Sequence, residues 1–85
     1  MNLTMRVQVR FFASLREIVG SSADTLQLAE GSTVEQAWVT LAAAHPALAP
    51  RREHVAAALD RRYVPFDAIL TDGCELVFIP PVSGG

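Results

Sequence analysis

The chain has 85 residues, 51% of them hydrophobic, with seven Arg, no Lys and nine Asp plus Glu for a net charge of −2. That length fits one small domain near the lower limit of independent stability. The acidic balance argues against a general nucleic-acid or anionic-membrane binder, the single cysteine excludes an internal disulfide framework, and no stretch reaches the roughly 20 apolar residues that span a bilayer. No basic segment followed by an apolar run opens the chain, so the expectation is a cytoplasmic, soluble, single-domain protein.

Residues 1–5 show no useful period and are expected to fray. Arg6-Val7-Gln8-Val9-Arg10-Phe11 then alternates polar and apolar, the period of a half-buried strand, with Val7, Val9 and Phe11 inward and Phe12 on the other side. Leu15, Ile18 and Val19 at helical spacing predict a short helical turn over 13–19 that Gly20 ends. Asp24–Ala29 alternates again, Leu26 and Leu28 inward, and pairs with the first strand as a hairpin. Ser32 with Glu35, or Thr33 with Gln36, offers a helix cap with a partner three residues on. Val34, Ala37, Trp38 and Leu41 follow the i, i+3, i+4, i+7 rule and give the helix one apolar face, which Pro46 ends at His45.

The stretch from Ala47 to Arg52 is expected to be an irregular connection. Val55–Leu59 is a third strand weakened by three alanines of low strand propensity. Tyr63-Val64 is a very short fourth, Asp72-Gly73 a turn, and Cys74–Ile79 the strongest strand in the chain. One main helix among such strands indicates an α+β fold with a small mixed sheet. The first and last strands are the most apolar; placing both centrally requires a parallel pairing, which is the β-grasp, or ubiquitin-like, arrangement. The domain then covers 1–79, with 80–85 as an extended arm.

Glycine-rich phosphate loops, Cys-x-x-Cys, paired His and nucleophile elbows are all missing from the sequence. His45 and His54 fall in or beside the irregular stretch, in solvated or helix-end roles. Cys74 shares a side with Leu76 and Phe78 and belongs in the core, where a thiol is inert. Arg51-Arg52 and Arg61-Arg62 are solvated surface doublets or docking points for an acidic partner. The informative segment is the end. A central strand runs into Pro80-Pro81, which cannot donate ladder hydrogen bonds, and six residues leave the domain as an arm of about 20 Å. It finishes Val82-Ser83-Gly84-Gly85; a chance Gly-Gly end occurs in roughly 0.5% of chains. Two residues without side chains make the narrowest peptide that can thread a partner's channel. Their carboxylate is ionised at neutral pH and must be activated, for example as an acyl adenylate, before sulfur or an amine can capture it.

Phe11-Phe12-Ala13-Ser14-Leu15-Arg16-Glu17 and the closing run Asp72-Gly73-Cys74-Glu75-Leu76-Val77-Phe78-Ile79-Pro80-Pro81-Val82-Ser83-Gly84-Gly85 resemble the two end motifs of the small subunit of molybdopterin synthase, the MoaD family. The resemblance implies a β-grasp sulfur carrier that binds no cofactor stably and is itself non-catalytic. Gly85, with Gly84 beside it, is adenylated by an ATP-dependent E1-like activating enzyme and becomes a thiocarboxylate (1-thioglycine). The arm then inserts into the large synthase subunit, in a heterotetramer, and delivers sulfur to a cyclic pyranopterin monophosphate. Family interface positions align with Phe12, Tyr63 and Ile79, and Val77, Pro80, Pro81, Val82 and Ser83 complete the expected partner-binding set. No nucleic acid or membrane is implied.

The sequence departs from the usual pattern at Leu59-Asp60-Arg61-Arg62, where relatives more often have an Asn-containing turn, and at Cys74, where an acidic residue is common. Three rivals remain open. The chain could carry sulfur for thiamin or tRNA thiolation, with identical tail chemistry. It could be a ubiquitin-like modifier whose Gly85 becomes amide-linked to target lysines. It could be an interaction module with an incidental tail.

Overall fold

The computed structural model describes residues 3–81. Five strands and two α-helices follow in the order β1 (Thr4–Phe11), α1 (Ala13–Val19), β2 (Ala23–Ala29), α2 (Val34–Ala44), a 3-10 helix (Pro46–His54), β3 (Ala56–Leu59), β4 (Arg62–Val64) and β5 (Glu75–Ile79). The strands form one sheet in the order β2-β1-β5-β3-β4. Only the β1–β5 contact is parallel, with Gln8 opposite Glu75 and Phe11 opposite Phe78. The central parallel pair and the mixed sheet on a single main helix are those of the β-grasp fold.

Strict alternation builds β1. Met5, Val7, Val9 and Phe11 are buried while the residues between them are exposed. That pattern reaches further back than expected: Thr4 and Met5 do not fray but open the strand, paired with Ala29 and Leu28. Met5 continues the period of Val7 and Val9, and its side chain is in the core. Met1 and Asn2 lie outside the described residues.

The parallel join is secured at its start by the Asp72-Gly73 turn. Asp72 Oδ1 accepts from Arg6 N at 2.8 Å, and Gly73 N donates to Arg6 O at 2.7 Å. Gly73 has φ +81°, which a residue without Cβ adopts without strain.

The residue that caps helix α2 is Thr33, not Ser32. Gln36 N donates to Thr33 Oγ1 at 3.3 Å and Thr33 N donates to Gln36 Oε1 at 2.8 Å, a reciprocal capping box. Val34, Ala37, Trp38 and Leu41 are buried on the inner sheet face, as their spacing predicts. Trp38 meets Phe78 of β5 edge-on, ring centroids 5.1 Å apart. Burying side chains of this size contributes about 1.5–3 kcal/mol each.

The connection expected to be irregular is a 3-10 helix of nine residues, and its Leu48 is fully buried. Two prolines, Pro46 and Pro50, conceal it from periodicity while fixing φ in the helical range. No helix among the described residues is long and apolar enough to cross a membrane.

Candidate docking face and carboxyl-terminal arm

With α2 on one side, the other side of the sheet is open. The strand registers place Ala23, Arg10, Val77, Ala58 and Tyr63 in one row across it, and Thr25, Gln8 and Glu75 in the next. One step further along β5, Ile79 stands beside Ala56. Phe12 follows Phe11, the partner of Phe78, and so reaches the level of Ile79.

Side-chain chemistry divides this face in two. Toward β2 and the start of β5 it is polar, and Arg10 Nε pairs with Glu75 Oε2 at 2.9 Å. Toward the end of β5 it is apolar: Phe12 is 51% exposed and Tyr63 75%, with Val77 and Ile79 half-buried between them. A contiguous apolar area on a small surface marks an interaction site. Its floor is recessed because Ala56 and Ala58 have only methyl groups there. These alanines weaken the strand signal in the sequence, yet they are what leaves open space between Phe12 and Tyr63.

The arm leaves from the same end. Pro80 is half-buried and Pro81 exposed, directly after Ile79. The apolar face therefore continues into the start of the arm, while Val82, Ser83, Gly84 and Gly85 lie outside the described residues. A surface depression between Thr4, Gly31 and Ile69 lies at the opposite end of β1 and has no part in this site.

The remaining singled-out residues sort by their surroundings. Cys74 is buried, as its pattern predicts. His45 caps the end of α2 and His54 is exposed at the end of the 3-10 helix. Arg51, Arg61 and Arg62 are exposed, but Arg52 is not a free surface charge. Its Nε donates to Glu35 Oε1 at 2.9 Å, and its guanidinium lies 3.4 Å from the centroid of the Phe66 ring. The hydrogen bonds from Arg52 hold the Glu35 carboxyl below the usual carboxylate range, against an opposing push from desolvation. No metal-binding group of His, Cys, Asp and Glu occurs among the described residues. This surface can dock and present an arm; the residues described on it supply no nucleophile with a neighbouring base.

Residues 9–85 match the ThiS family. The chain is 43% identical to the molybdopterin synthase sulfur carrier subunit of Escherichia coli (strain K12), over 93% of this chain and 99% of that protein. It is 40% identical to the protein of the same name from Chlamydomonas reinhardtii, over 95% of this chain and all of that one. Among solved structures, SAMP1 from Haloferax volcanii, a small archaeal modifier protein, superimposes with a TM-score of 0.85 at 30% identity, covering 94% of this chain and 99% of its own. An apolar sheet face that continues into the carboxyl-terminal arm thus occurs on a chain that belongs to the ThiS family, among relatives that are sulfur carrier subunits of molybdopterin synthase.

Proposed function

We propose that this chain is the sulfur carrier of a molybdopterin synthase. The observation that carries the reading is the continuity of the apolar face, from Phe12 and Tyr63 through Val77 and Ile79, with the arm that begins at Pro80. A partner gripping that face meets the start of the arm at Pro80 and Pro81. The partner is the large synthase subunit, assembled with this chain as a heterotetramer, and a separate E1-like enzyme activates the chain beforehand.

The chemistry at Gly85 balances in three steps. The carboxylate attacks the α-phosphate of ATP, forming an acyl adenylate and releasing pyrophosphate. Sulfide-level sulfur attacks the acyl carbon and expels AMP, leaving a thiocarboxylate that is ionised at neutral pH and nucleophilic at sulfur. That sulfur passes to a cyclic pyranopterin monophosphate on the large subunit, and hydrolysis regenerates the carboxylate. Glycine at both final positions keeps the arm narrow and leaves the reacting carbonyl uncrowded.

Intact mass spectrometry tests this directly. The full-length chain, incubated with the cognate activating enzyme, ATP and a sulfur donor, is expected to gain the mass of one oxygen exchanged for sulfur, mapped to Gly85 and absent when Gly85 is deleted. No gain with an activator proven competent on another carrier overturns the reading. The likeness to an archaeal modifier protein favours one second reading, amide linkage of Gly85 to target amines. It is separated by its product, a covalent protein adduct in cell extract that disappears with Gly85.

A further inference from the structure

Three non-glycine residues among those described have positive φ: Ala13 (48°), Asp60 (47°) and Arg61 (74°). L-residues seldom adopt this region, and such strain collects where a surface must keep one shape. All three flank the exposed aromatics of the open face. Ala13 follows Phe12 directly, and Tyr63 is the second residue after Arg61.

Asp60 and Arg61 have a local explanation. They are the two central residues of the β3–β4 hairpin, a turn that calls for positive φ at both. Asp60 also ties the turn to β5, with Glu75 N donating to its Oδ1 at 3.0 Å and its own N donating to Glu75 O at 2.9 Å. Ala13 has no such account. Its side chain makes no hydrogen bond, and glycine would adopt the same backbone without strain.

What the conformation does is visible on either side. Phe12 is extended (φ −123°, ψ 155°) and keeps the alternation of β1. Its carbonyl accepts from Leu15 N at 3.1 Å and from Arg16 N at 3.4 Å, so the chain folds back into α1 immediately after it. Phe11 N is tied to Ser22 O at 2.9 Å, and Leu15 is buried. Phe12 is thus clamped between a strand and a helix with its ring on the open face.

We propose that Ala13 is a positioning residue for partner docking: its left-handed backbone fixes Phe12 as a preformed aromatic anchor beside the arm. The inference rests on the sulfur-carrier reading, since it needs a partner on this face. Buried aromatics dominate interface energetics, and an anchor already in place avoids the ordering cost of binding. Alanine keeps the backbone more confined than glycine would, whereas a β-branched side chain is a strong outlier at this φ.

The test is a double-mutant cycle on the full-length chain, with affinity for a purified molybdopterin synthase large subunit read by calorimetry and folding read by circular dichroism. Ala13→Val is expected to weaken binding about tenfold when Phe12 is present and less than about twofold in the Phe12→Ala background. Ala13→Gly stays within about threefold of wild type. A chemically assembled chain with D-alanine at position 13, which prefers positive φ, is expected to melt higher and bind at least as tightly; this arm decides the matter if Ala13→Val does not fold. Equal losses in both Phe12 backgrounds, wild-type affinity for a folded Ala13→Val chain, or weaker binding by the D-alanine chain overturns the inference alone. A wild-type chain with no affinity for the large subunit overturns the functional reading and this inference with it.

Discussion

Arg52 joins three parts of the molecule. It belongs to the 3-10 helix, binds Glu35 in the first turn of α2 and covers Phe66, which stacks on Phe78 with ring centroids 5.9 Å apart. Removing it in Arg52→Ala is expected to cost about 1 kcal/mol, combining a part-exposed ion pair with a cation–π contact, and to lower Tm by about 4–8 °C in a thermal melt. Glu35 titrates within this arrangement. Because Arg52 lowers its folded pKa, its stabilising contribution is complete above the unfolded value of about 4.3 and is lost as pH falls through the lowered one. Urea titrations of wild type and Glu35→Gln are therefore expected to differ by under about 1 kcal/mol at pH 7 and to coincide near pH 2. A difference that persists in acid would show that the carboxylate charge is not what Arg52 recognises. None of this was legible in the sequence, where Arg52 is half of a basic doublet. Glu35 and Phe66 are 17 and 14 positions away, and no short-range pattern joins them.

Elements with a strong period were legible, and those held by a few tertiary contacts were not. β1 and the buried face of α2 follow from alternation and from the 3.6-residue repeat. The 3-10 helix has neither; what holds it is Leu48, fully buried between two prolines. Leu48→Ala is expected to cost about 2–5 kcal/mol, a large share of the roughly 4–13 kcal/mol available to a chain this size. Far-UV circular dichroism near 37 °C would then show partial unfolding, and a wild-type signal would demote the contact. The cap of α2 divides two candidates that the sequence alone leaves equal. Thr33→Ala is expected to cost about 1 kcal/mol in a urea titration, and Ser32→Ala distinctly less through loss of the cap, because only Thr33 accepts from the helix backbone.

At the scale of the whole molecule, the open face and the arm meet at β5, which lines the face and runs into Pro80. Val77 and Ile79 of β5 face the open side while Leu76 and Phe78 fill the core, so one five-residue segment both holds the domain together and lines the open face. Ile79→Asp is expected to leave the circular dichroism spectrum intact and weaken large-subunit binding more than about tenfold, a loss of about 1.4 kcal/mol or more. Loss of folding would place Ile79 in the core. That β5 lies at the sheet's centre, against both β1 and β3, could be argued from its apolar character; the register that sets Phe12 level with Ile79 could not, because it depends on turns such as Asp72-Gly73. The central position of β5 also has a consequence for synthesis. Its two neighbours are made first and cannot meet until residues 75–79 emerge, close to the end of translation, so the sheet closes through the longest sequence separation the fold contains. A chain that ends before residue 75 lacks the middle of its sheet. Copies cut short there lack Val77 and Ile79, cannot form the open face, and are left to proteolysis as unfolded chains.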